Sequence, residues 1–412
     1  MKKILTGLLI FLSFTAFSQT PLTTIEIINK ELEYDFGNMI IDIIISSDSA
    51  LYRKVRNKQE DAHEKITTIH IDGNTIYTAW YEADKTFVTL LSNFDKGKVS
   101  GYQCRSNGKI NPLKGSIRLK QTALTGSAAA QEPTKIIDMH IHSYDVKHFN
   151  NHAKDYYGNK GSDNIETHFT ETYEALRKFN IVKAVVSGTV TSVDDWKAKD
   201  TDDRIIRGIM INYPTDDGMD STWFENLIKT GKIEIFGEVG AYYSGTTLSD
   251  DIWQPYLRIC EKYDIPVAVH TGGGDPGGTY SWSPEARLTL GDPYLIENVL
   301  VKYPRLRIYI MHSGEDWHEH ALRLMAYYPQ LYSDLGAMLW VEPLTQRYVR
   351  DFLMNAKQAG YLDRVMFGSD QMTWPYAIKK SIDYLNSLDF LSKEDKQNIF
   401  YNNAARFLKL KK

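Results

Sequence analysis

The sequence has few cysteines. Only Cys104 and Cys260 occur among 412 residues, and they fall in different candidate domains. A framework of several disulfides is therefore excluded. We expect two buried free thiols, and a single bridge between them is the alternative that the sequence leaves open.

The chain also lacks an excess of basic charge. Its 48 lysines and arginines face 52 aspartates and glutamates, which gives a net charge of -4 and a pI near 6.3. This balance argues against nucleic acid as a partner. Hydrophobic residues make up 42% and charged residues 24%, as in globular proteins with a full core. We expect a small-molecule partner, and the oligomeric state is open, with a homo-oligomer as one outcome.

Long apolar runs are missing after the first residues. The one apolar stretch, Ile4–Phe17, follows Lys2 and Lys3 and ends at small residues around Ser18. It is too short for a stable membrane span, which needs about 20 residues. The pattern predicts a secretory signal peptide over residues 1–18, with a buried helix or a membrane anchor as the alternative. We therefore expect an exported protein, periplasmic or secreted.

Residues 19–125 alternate apolar and polar positions in short runs. Ile66–Tyr81 and Phe87–Leu91 are examples, and the turn at Asp72-Gly73-Asn74 divides the first run into a hairpin. This pattern predicts a small antiparallel β-domain, either a lipocalin-like barrel or a sandwich. Small and polar residues follow, and we place a linker at 126–134.

From residue 135 short β-branched runs alternate with longer helical stretches. Alternation of this kind predicts parallel strands with right-handed crossovers. Eight units over residues 135–412 favour a closed (β/α)8 TIM barrel, an α/β fold. An open doubly wound sheet is the alternative, but no Gly-x-Gly-x-x-Gly follows the first strand. The predicted strands are Ile136–Ile141, Val182–Val186, Ile205–Ile211, Ile233–Val239, Pro266–His270, Leu306–Met311, Leu331–Leu335 and Arg364–Phe367.

Residues able to bind a metal end five of these strands. In a TIM barrel the carboxyl ends of the strands form the functional face. His140 and His142 are two residues apart and can point the same way. Imidazole and carboxylate groups suit zinc, manganese, iron or nickel. The pattern predicts a metal centre from His140, His142, Glu238, His270, His312 and Asp370.

The motifs around these residues resemble the amidohydrolase superfamily, in particular its amidohydrolase-related and TatD-type hydrolases. The motifs are Asp-Met-His-Ile-His, Gly-Glu-Val-Gly, Ala-Val-His-Thr-Gly, Tyr-Ile-Met-His-Ser-Gly and Phe-Gly-Ser-Asp. The resemblance covers the chain from about residue 135 to its end. It implies the following roles: a first metal held by His140 and His142, a second held by His270 and His312, a bridging carboxylate at Glu238, and Asp370 as ligand and proton carrier.

The resemblance also implies a cofactor and a reaction. It implies two divalent metals per chain, with zinc as the first expectation and manganese, iron, cobalt or nickel as alternatives. A metal-activated water would then cleave an ester, lactone, amide or phosphoester bond. Trp282 and Arg287, beyond the glycine-rich segment 271–278, could line the pocket and hold a substrate carboxylate, with an ordinary surface role as the alternative.

Two other functions are weighed against hydrolysis. Some members of the same branch are lyases that decarboxylate aromatic or unsaturated acids with a single metal. A bridging position at Glu238 argues against that reaction. The second alternative is a binding protein with an inactive barrel, and the complete ligand set argues against it.

Overall fold

The computed structural model describes residues 31–47, 50–56, 60–72, 75–94, 96–119, 134–214 and 219–410. The chain divides into two compact units, one ending at Ala130 and the other beginning at Gln131. The predicted signal peptide and nearly all of the predicted linker lie outside the described residues and stay predictions. None of the helices in the described ranges has both the length and the apolar character needed to cross a bilayer.

The first unit is a closed barrel of eight antiparallel strands, each paired with the next along the chain. β1 pairs with both β2 and β8, which closes the ring. This confirms the expected β-domain and selects the barrel over the sandwich. The strands are β1 (Glu31–Asp35), β2 (Ile40–Ser47), β3 (Ala50–Val55), β4 (Glu60–Asp72), β5 (Thr75–Tyr81), β6 (Phe87–Asn93), β7 (Lys98–Cys104) and β8 (Ile110–Leu119).

Alternation of apolar and polar residues builds this barrel, because successive side chains of a strand face opposite sides. Leu32 and Tyr34 of β1 are buried in one apolar cluster with Trp80 of β5 and Leu90 of β6. The expected hairpin is present, since Asp72 of β4 pairs with Thr75 of β5.

The second unit is an eight-stranded parallel sheet in which each strand pairs with its neighbour in sequence. Backbone hydrogen bonds close the ring, because Met139 N donates to Phe367 O and Asp370 N donates to His140 O. The TIM-like barrel is therefore confirmed. Its strands are β9 (Ile136–His142), β10 (Ile181–Ser187), β11 (Ile205–Ile211), β12 (Ile235–Val239), β13 (Val267–Val269), β14 (Ile308–Ile310), β15 (Leu331–Asp334) and β16 (Val365–Met366).

Helices follow the strands and cover the barrel. Several begin at side-chain caps, such as Asn164, Thr189 and Asp220, which accept hydrogen bonds from the first turn. The helices are α1 (Ile165–Lys178), α2 (Val190–Lys199), α3 (Ser221–Lys229), α4 (Gln254–Tyr263), α5 (Glu297–Lys302), α6 (His318–Tyr327), α7 (Pro343–Ala359), α8 (Tyr376–Ser387), α9 (Lys393–Gln397) and α10 (Asn403–Phe407).

The carboxyl ends of the strands carry the candidate site. β9 and β12 are buried along their whole length, so the polar residues at their ends lie in the interior of the barrel. Both cysteines are free thiols, Cys104 half-buried and Cys260 fully buried.

Candidate metal centre

The six ligand-type residues at the strand ends come together in one buried cluster. Their side chains form three overlapping sets whose candidate ligand atoms lie within 4.8 Å of one another. None of the six residues is more than 6% exposed. The sets are His140, His142 and Glu238; His140, His312 and Asp370; and Glu238, His270 and His312.

The first pair of imidazoles faces one oxygen from each carboxylate. Nε2 of His140 lies 3.1 Å from Nε2 of His142, and His142 Nε2 is 3.3 Å from Glu238 Oε2 and 3.1 Å from Asp370 Oδ1. His140 Nε2 is 3.6 Å from both of these oxygens. Ligands about 2.0–2.1 Å from a tetrahedral zinc are roughly 3.3–3.4 Å apart. These four atoms are therefore spaced as ligands of one ion.

The second pair of imidazoles faces the other oxygen of Glu238. Oε1 of Glu238 is 2.6 Å from Nδ1 of His270 and 3.6 Å from Nε2 of His312. His312 Nε2 and His270 Nδ1 are 3.2 Å apart. Glu238 thus directs one oxygen to each pair of histidines, which is the arrangement that a carboxylate bridging two cations requires.

Hydrogen bonds on the far side of three imidazoles select the nitrogen that faces the centre. Nδ1 of His140 donates to Asp334 Oδ2 at 3.1 Å, and Nδ1 of His312 donates to Gly336 O at 3.0 Å. His270 has the opposite orientation, because its Nε2 donates to Gly273 O at 2.8 Å. These bonds occupy the outer nitrogen of each imidazole, so the inward nitrogen faces the carboxylates and can bind a metal when it gives up its proton.

His142 is held through its backbone instead. Oε1 of Gln371 accepts from His142 N at 2.9 Å, and Nε2 of Gln371 donates to His142 O at 2.8 Å. Nε2 of Gln371 also lies 3.3 Å from Nε2 of the buried His168. Gln371 is fully buried, so it can fix the position of the ligand strand relative to the segment after β16.

The backbone around His312 and His140 is shaped for close approach. After β14 the chain runs through residues with positive φ from His312 to Glu315, a conformation that side chains other than glycine rarely adopt. Gly336 leaves room for His140, because a Cβ at Gly336 would lie 2.4 Å from His140 Nδ1 and 3.1 Å from Asp370 Cβ.

The electrostatics of the cluster favour cations. Burial opposes ionisation of Glu238, but hydrogen bonds from the surrounding histidines hold its pKa well below the usual range. Burial likewise acts against Asp370, yet the charges of His140 and the other histidines lower its pKa to about 2. Burial works against protonation of His312, and Glu238 nonetheless raises its pKa to about 9. The carboxylates therefore draw positive charge, which bound metal ions can supply in place of protons.

Two residues that support the ligands were not recognised from the sequence. Asp334 ends β15, just as the ligand residues end their strands, so its position was a usable signal. Its Oδ1 also accepts from the backbone N of His312 and of Gly336. Gln371 directly follows Asp370, but no spacing rule in the sequence points to it.

Asp138 is completely buried on β9, two residues before His142's partner ligand His140. Its Oδ1 accepts from the backbone N of His140 and of Ser369, at 3.0 and 2.9 Å. It therefore supports the ligand His140 through the backbone of that residue and not through the imidazole. Burial raises its pKa to about 7. Asp138 also ties β9 to the segment after β16.

Of the two predicted substrate-binding residues, Trp282 is connected to the centre. Its ring centroid lies 4.8 Å from that of Tyr243, which in turn lies 4.8 Å from that of His270. Arg287 is exposed, and its Nη1 donates to the backbone carbonyls of Pro284 and Ala286. Within the described ranges it has no bond to any of the six ligand-type residues.

A family model described as amidohydrolase matches residues 137–410, about two thirds of the chain. A second model, described as MoaF-like, matches residues 28–118 and so covers the β-barrel. No curated protein matches the chain.

Several solved structures are similar to part of the chain. A TIM-barrel protein of Bordetella bronchiseptica is 19% identical, with a TM-score of 0.50, over 67% of this chain and 98% of its own. A 2,6-dihydroxybenzoate decarboxylase from Rhizobium is 14% identical, with a TM-score of 0.47, over 67% and 99%. A probable 2-pyrone-4,6-dicarboxylic acid hydrolase from Acinetobacter baumannii is 14% identical, with a TM-score of 0.46, over 67% and 100%.

Proposed function

Since this chain belongs to the amidohydrolase family, whose model spans most of its barrel, we propose that it is a metal-dependent hydrolase of a small molecule. The bond cleaved is an ester, lactone, amide or phosphoester. The cofactor is a pair of divalent cations, with zinc as the first choice because nitrogen and oxygen donors at tetrahedral spacing suit it.

One observation carries the proposal of hydrolysis by two metals. The two oxygens of Glu238 face different histidine pairs, Oε2 towards His142 and Oε1 towards His270. With a single ion, one of the two buried histidine pairs would have only protons to bind. Two cations bound there would supply Lewis acidity and a water molecule acidified towards neutral pH.

The chain's own residues supply proton transfer and orientation. Burial acts against ionisation of Asp370, but the charges of the histidines lower its pKa, so it is ionised at neutral pH and can accept a proton at Oδ2, the oxygen that does not face His142. Asp370 can then return that proton to the leaving group. Asp334 holds His140 in one tautomer, and burial of the cluster keeps bulk water away from the charges.

Decarboxylation of an aromatic acid is the second candidate. The observation in its favour is the set of aromatic rings beside the ligands: the centroid of Tyr144 lies 6.0 Å from that of His142, and the centroid of Tyr243 lies 4.8 Å from that of His270. The same rings serve a hydrolase of aromatic substrates equally well. We favour hydrolysis because the two oxygens of Glu238 face different histidine pairs, which supports two metals rather than one.

The test is a screen of the full chain, depleted of metal and then reloaded with zinc, manganese, iron, cobalt or nickel. Substrates are lactones, carboxylic esters, amides, phosphoesters and aromatic acids, with products identified by mass spectrometry. We expect hydrolysis that needs metal and is absent from the depleted protein. Release of carbon dioxide from an acid, without hydrolysis of any other substrate, would overturn the proposal in favour of the lyase.

We also propose that the enzyme is exported. The support is the sequence of residues 1–18, a positively charged start followed by a short apolar stretch and small residues. Expression of the full chain, followed by cell fractionation and N-terminal sequencing, tests this. We expect a processed protein outside the cytoplasm, whereas an unprocessed cytoplasmic protein would overturn the proposal.

A further inference from the structure

Basic residues are scarce at the mouth of the barrel. Of the eight segments that lead from β9–β16 to the next helix, only the first and the fifth contain lysine or arginine. Those residues are Lys147, Lys154, Lys160 and Arg287, and all four are exposed. Within the described part of the chain, none of them bonds to a residue of the metal centre. These segments therefore offer an anionic substrate no buried lysine or arginine.

A glycine-rich loop, residues 271–278, carries an acidic residue to this mouth. Gly273 is held on two sides, because its carbonyl accepts from His270 Nε2 and its N donates to Glu315 Oε2, both at 2.8 Å. Gly274 lies close to the ring of Tyr243, where an added Cβ would be 2.9 Å from Cε1. The loop is thereby fastened over His270, and Asp275 is the next residue.

The carboxylate of Asp275 has no structural task in the described part of the chain. The turn that follows uses its backbone carbonyl, which accepts from Gly278 N, and its side chain accepts no hydrogen bond there. The side chain of Asp275 is exposed, so an incoming molecule can reach it.

Aromatic rings stand beside this loop, because a Cβ at Gly274 would approach Tyr243 and one at Gly278 would approach Trp282. Tyr243 packs between His270 and Trp282, with both centroids 4.8 Å away, and Tyr242 stands nearly perpendicular to it at 5.0 Å. Trp282 is 47% exposed, so part of its ring is open to an incoming molecule. Ring faces attract cations, and tryptophan and tyrosine do so most strongly.

We propose that the substrate carries a positively charged nitrogen group, a protonated or quaternary amine, bound beside Asp275 against Tyr243 and Trp282. This inference rests on the proposed function, because it describes the substrate of the proposed hydrolase. With the cationic group bound beside Asp275, the bond to be cleaved faces the metal centre. A carboxylate-bearing substrate, the kind expected from a role of Arg287, is disfavoured. It would place its charge beside Asp275 and Glu315 with no basic partner.

Equilibrium binding tests this without turnover. Isothermal titration of the metal-loaded full chain compares benzyltrimethylammonium with phenylmethanesulfonate, whose oxygens are weak metal ligands, and with benzyl alcohol as the neutral probe. We expect the cation to bind at least about tenfold more tightly than the anion. We also expect this preference to shrink as salt is raised towards 1 M.

Two variants with the same change of charge locate the effect. Asp275→Asn should weaken binding of the cation about five- to tenfold and leave the neutral probe unchanged. Glu285 is an exposed residue of the same segment, and Glu285→Gln should change binding of neither the cation nor the neutral probe. Tighter binding of the anion by the wild type, or equal effects of the two variants, would overturn the inference. A chain that shows the charge preference but hydrolyses nothing would contradict the proposed function alone.

Discussion

Nδ1 of His140 and Oδ2 of Asp334 lie 3.1 Å apart, and both side chains are completely buried. In this relationship the carboxylate accepts a hydrogen bond from Nδ1, so Nε2 of His140 is the nitrogen left to bind a metal. The same carboxylate bonds the backbone of His312 through its other oxygen. One residue at the end of β15 therefore orients ligands from β9 and from the segment after β14.

Asp334→Asn tests this relationship. The amide nitrogen would donate to His140 Nδ1, which moves the imidazole proton to Nε2 and removes the lone pair that binds metal. We expect metal affinity to fall about 10- to 100-fold, as is usual when such a hydrogen-bond partner of a ligand is lost. Competition with a chelator measures this. Unchanged affinity would show that Asp334 does not set the tautomer.

Gly336→Ala tests the space around His140. The new methyl group would lie 2.4 Å from His140 Nδ1, so the imidazole has to move away from its position. We expect a loss of metal affinity of about 10-fold or more, with a fall in unfolding free energy of about 1–3 kcal/mol. Gly278→Ala is the control, since its Cβ would meet nothing closer than 3.6 Å. Equal metal affinities in the two variants would contradict the account.

Asp370→Asn tests the proton carrier. The amide cannot accept the proton, so kcat should fall about 10²- to 10⁴-fold on any substrate found in the screen. Asp383→Asn, at a half-exposed position of helix α8 where the carboxylate pairs with Lys379, should retain the wild-type rate. Circular dichroism checks that both variants fold. A near-normal rate for Asp370→Asn would exclude Asp370 from proton transfer.

His168 provides a test by pH. Its burial lowers the pKa to about 4, below the ordinary value of 6.5. The folded state therefore binds this proton more weakly than the unfolded state does. The contribution of neutral His168 to the free energy of unfolding is therefore complete above pH 6.5 and is lost as the pH falls through 4.

Between pH 6.5 and 4 the free energy of unfolding should therefore fall less in His168→Gln than in the wild type, with a difference of up to about 3 kcal/mol. Urea unfolding of metal-free protein across this range measures the difference. His152→Gln removes an exposed histidine and should follow the wild type. Parallel curves for wild type and His168→Gln would show that burial of His168 is not linked to folding.

Much of the second unit could be predicted from its sequence. The β-branched runs located all eight strands, because strands buried in a parallel barrel are apolar along their whole length. β11 spans Ile205–Ile211 as predicted, and β13 is shorter, Val267–Val269. The ligand-type residues were found because function in this fold belongs to the strand ends.

Other features depend on contacts that the sequence does not encode locally. The inward-facing nitrogen of His270 is Nδ1, which follows from the bond between its Nε2 and Gly273 O. The positive φ values after β14 fall on His312, Ser313 and Glu315, residues without a preference for that region. The sequence could place the segment that holds Arg287 near the site. It could not predict the direction of the side chain, which bonds the backbone of its own segment.

The most direct test of the central claim is the metal content of the purified, zinc-loaded chain, measured by elemental analysis for the wild type and for Glu238→Gln. If one oxygen of Glu238 binds the ion beside His142 and the other binds the ion beside His270, the wild type holds two ions per chain. The variant then holds one or fewer. No bound metal in the wild type would contradict the metal centre itself. One ion per chain in both proteins would contradict the bridging role of Glu238.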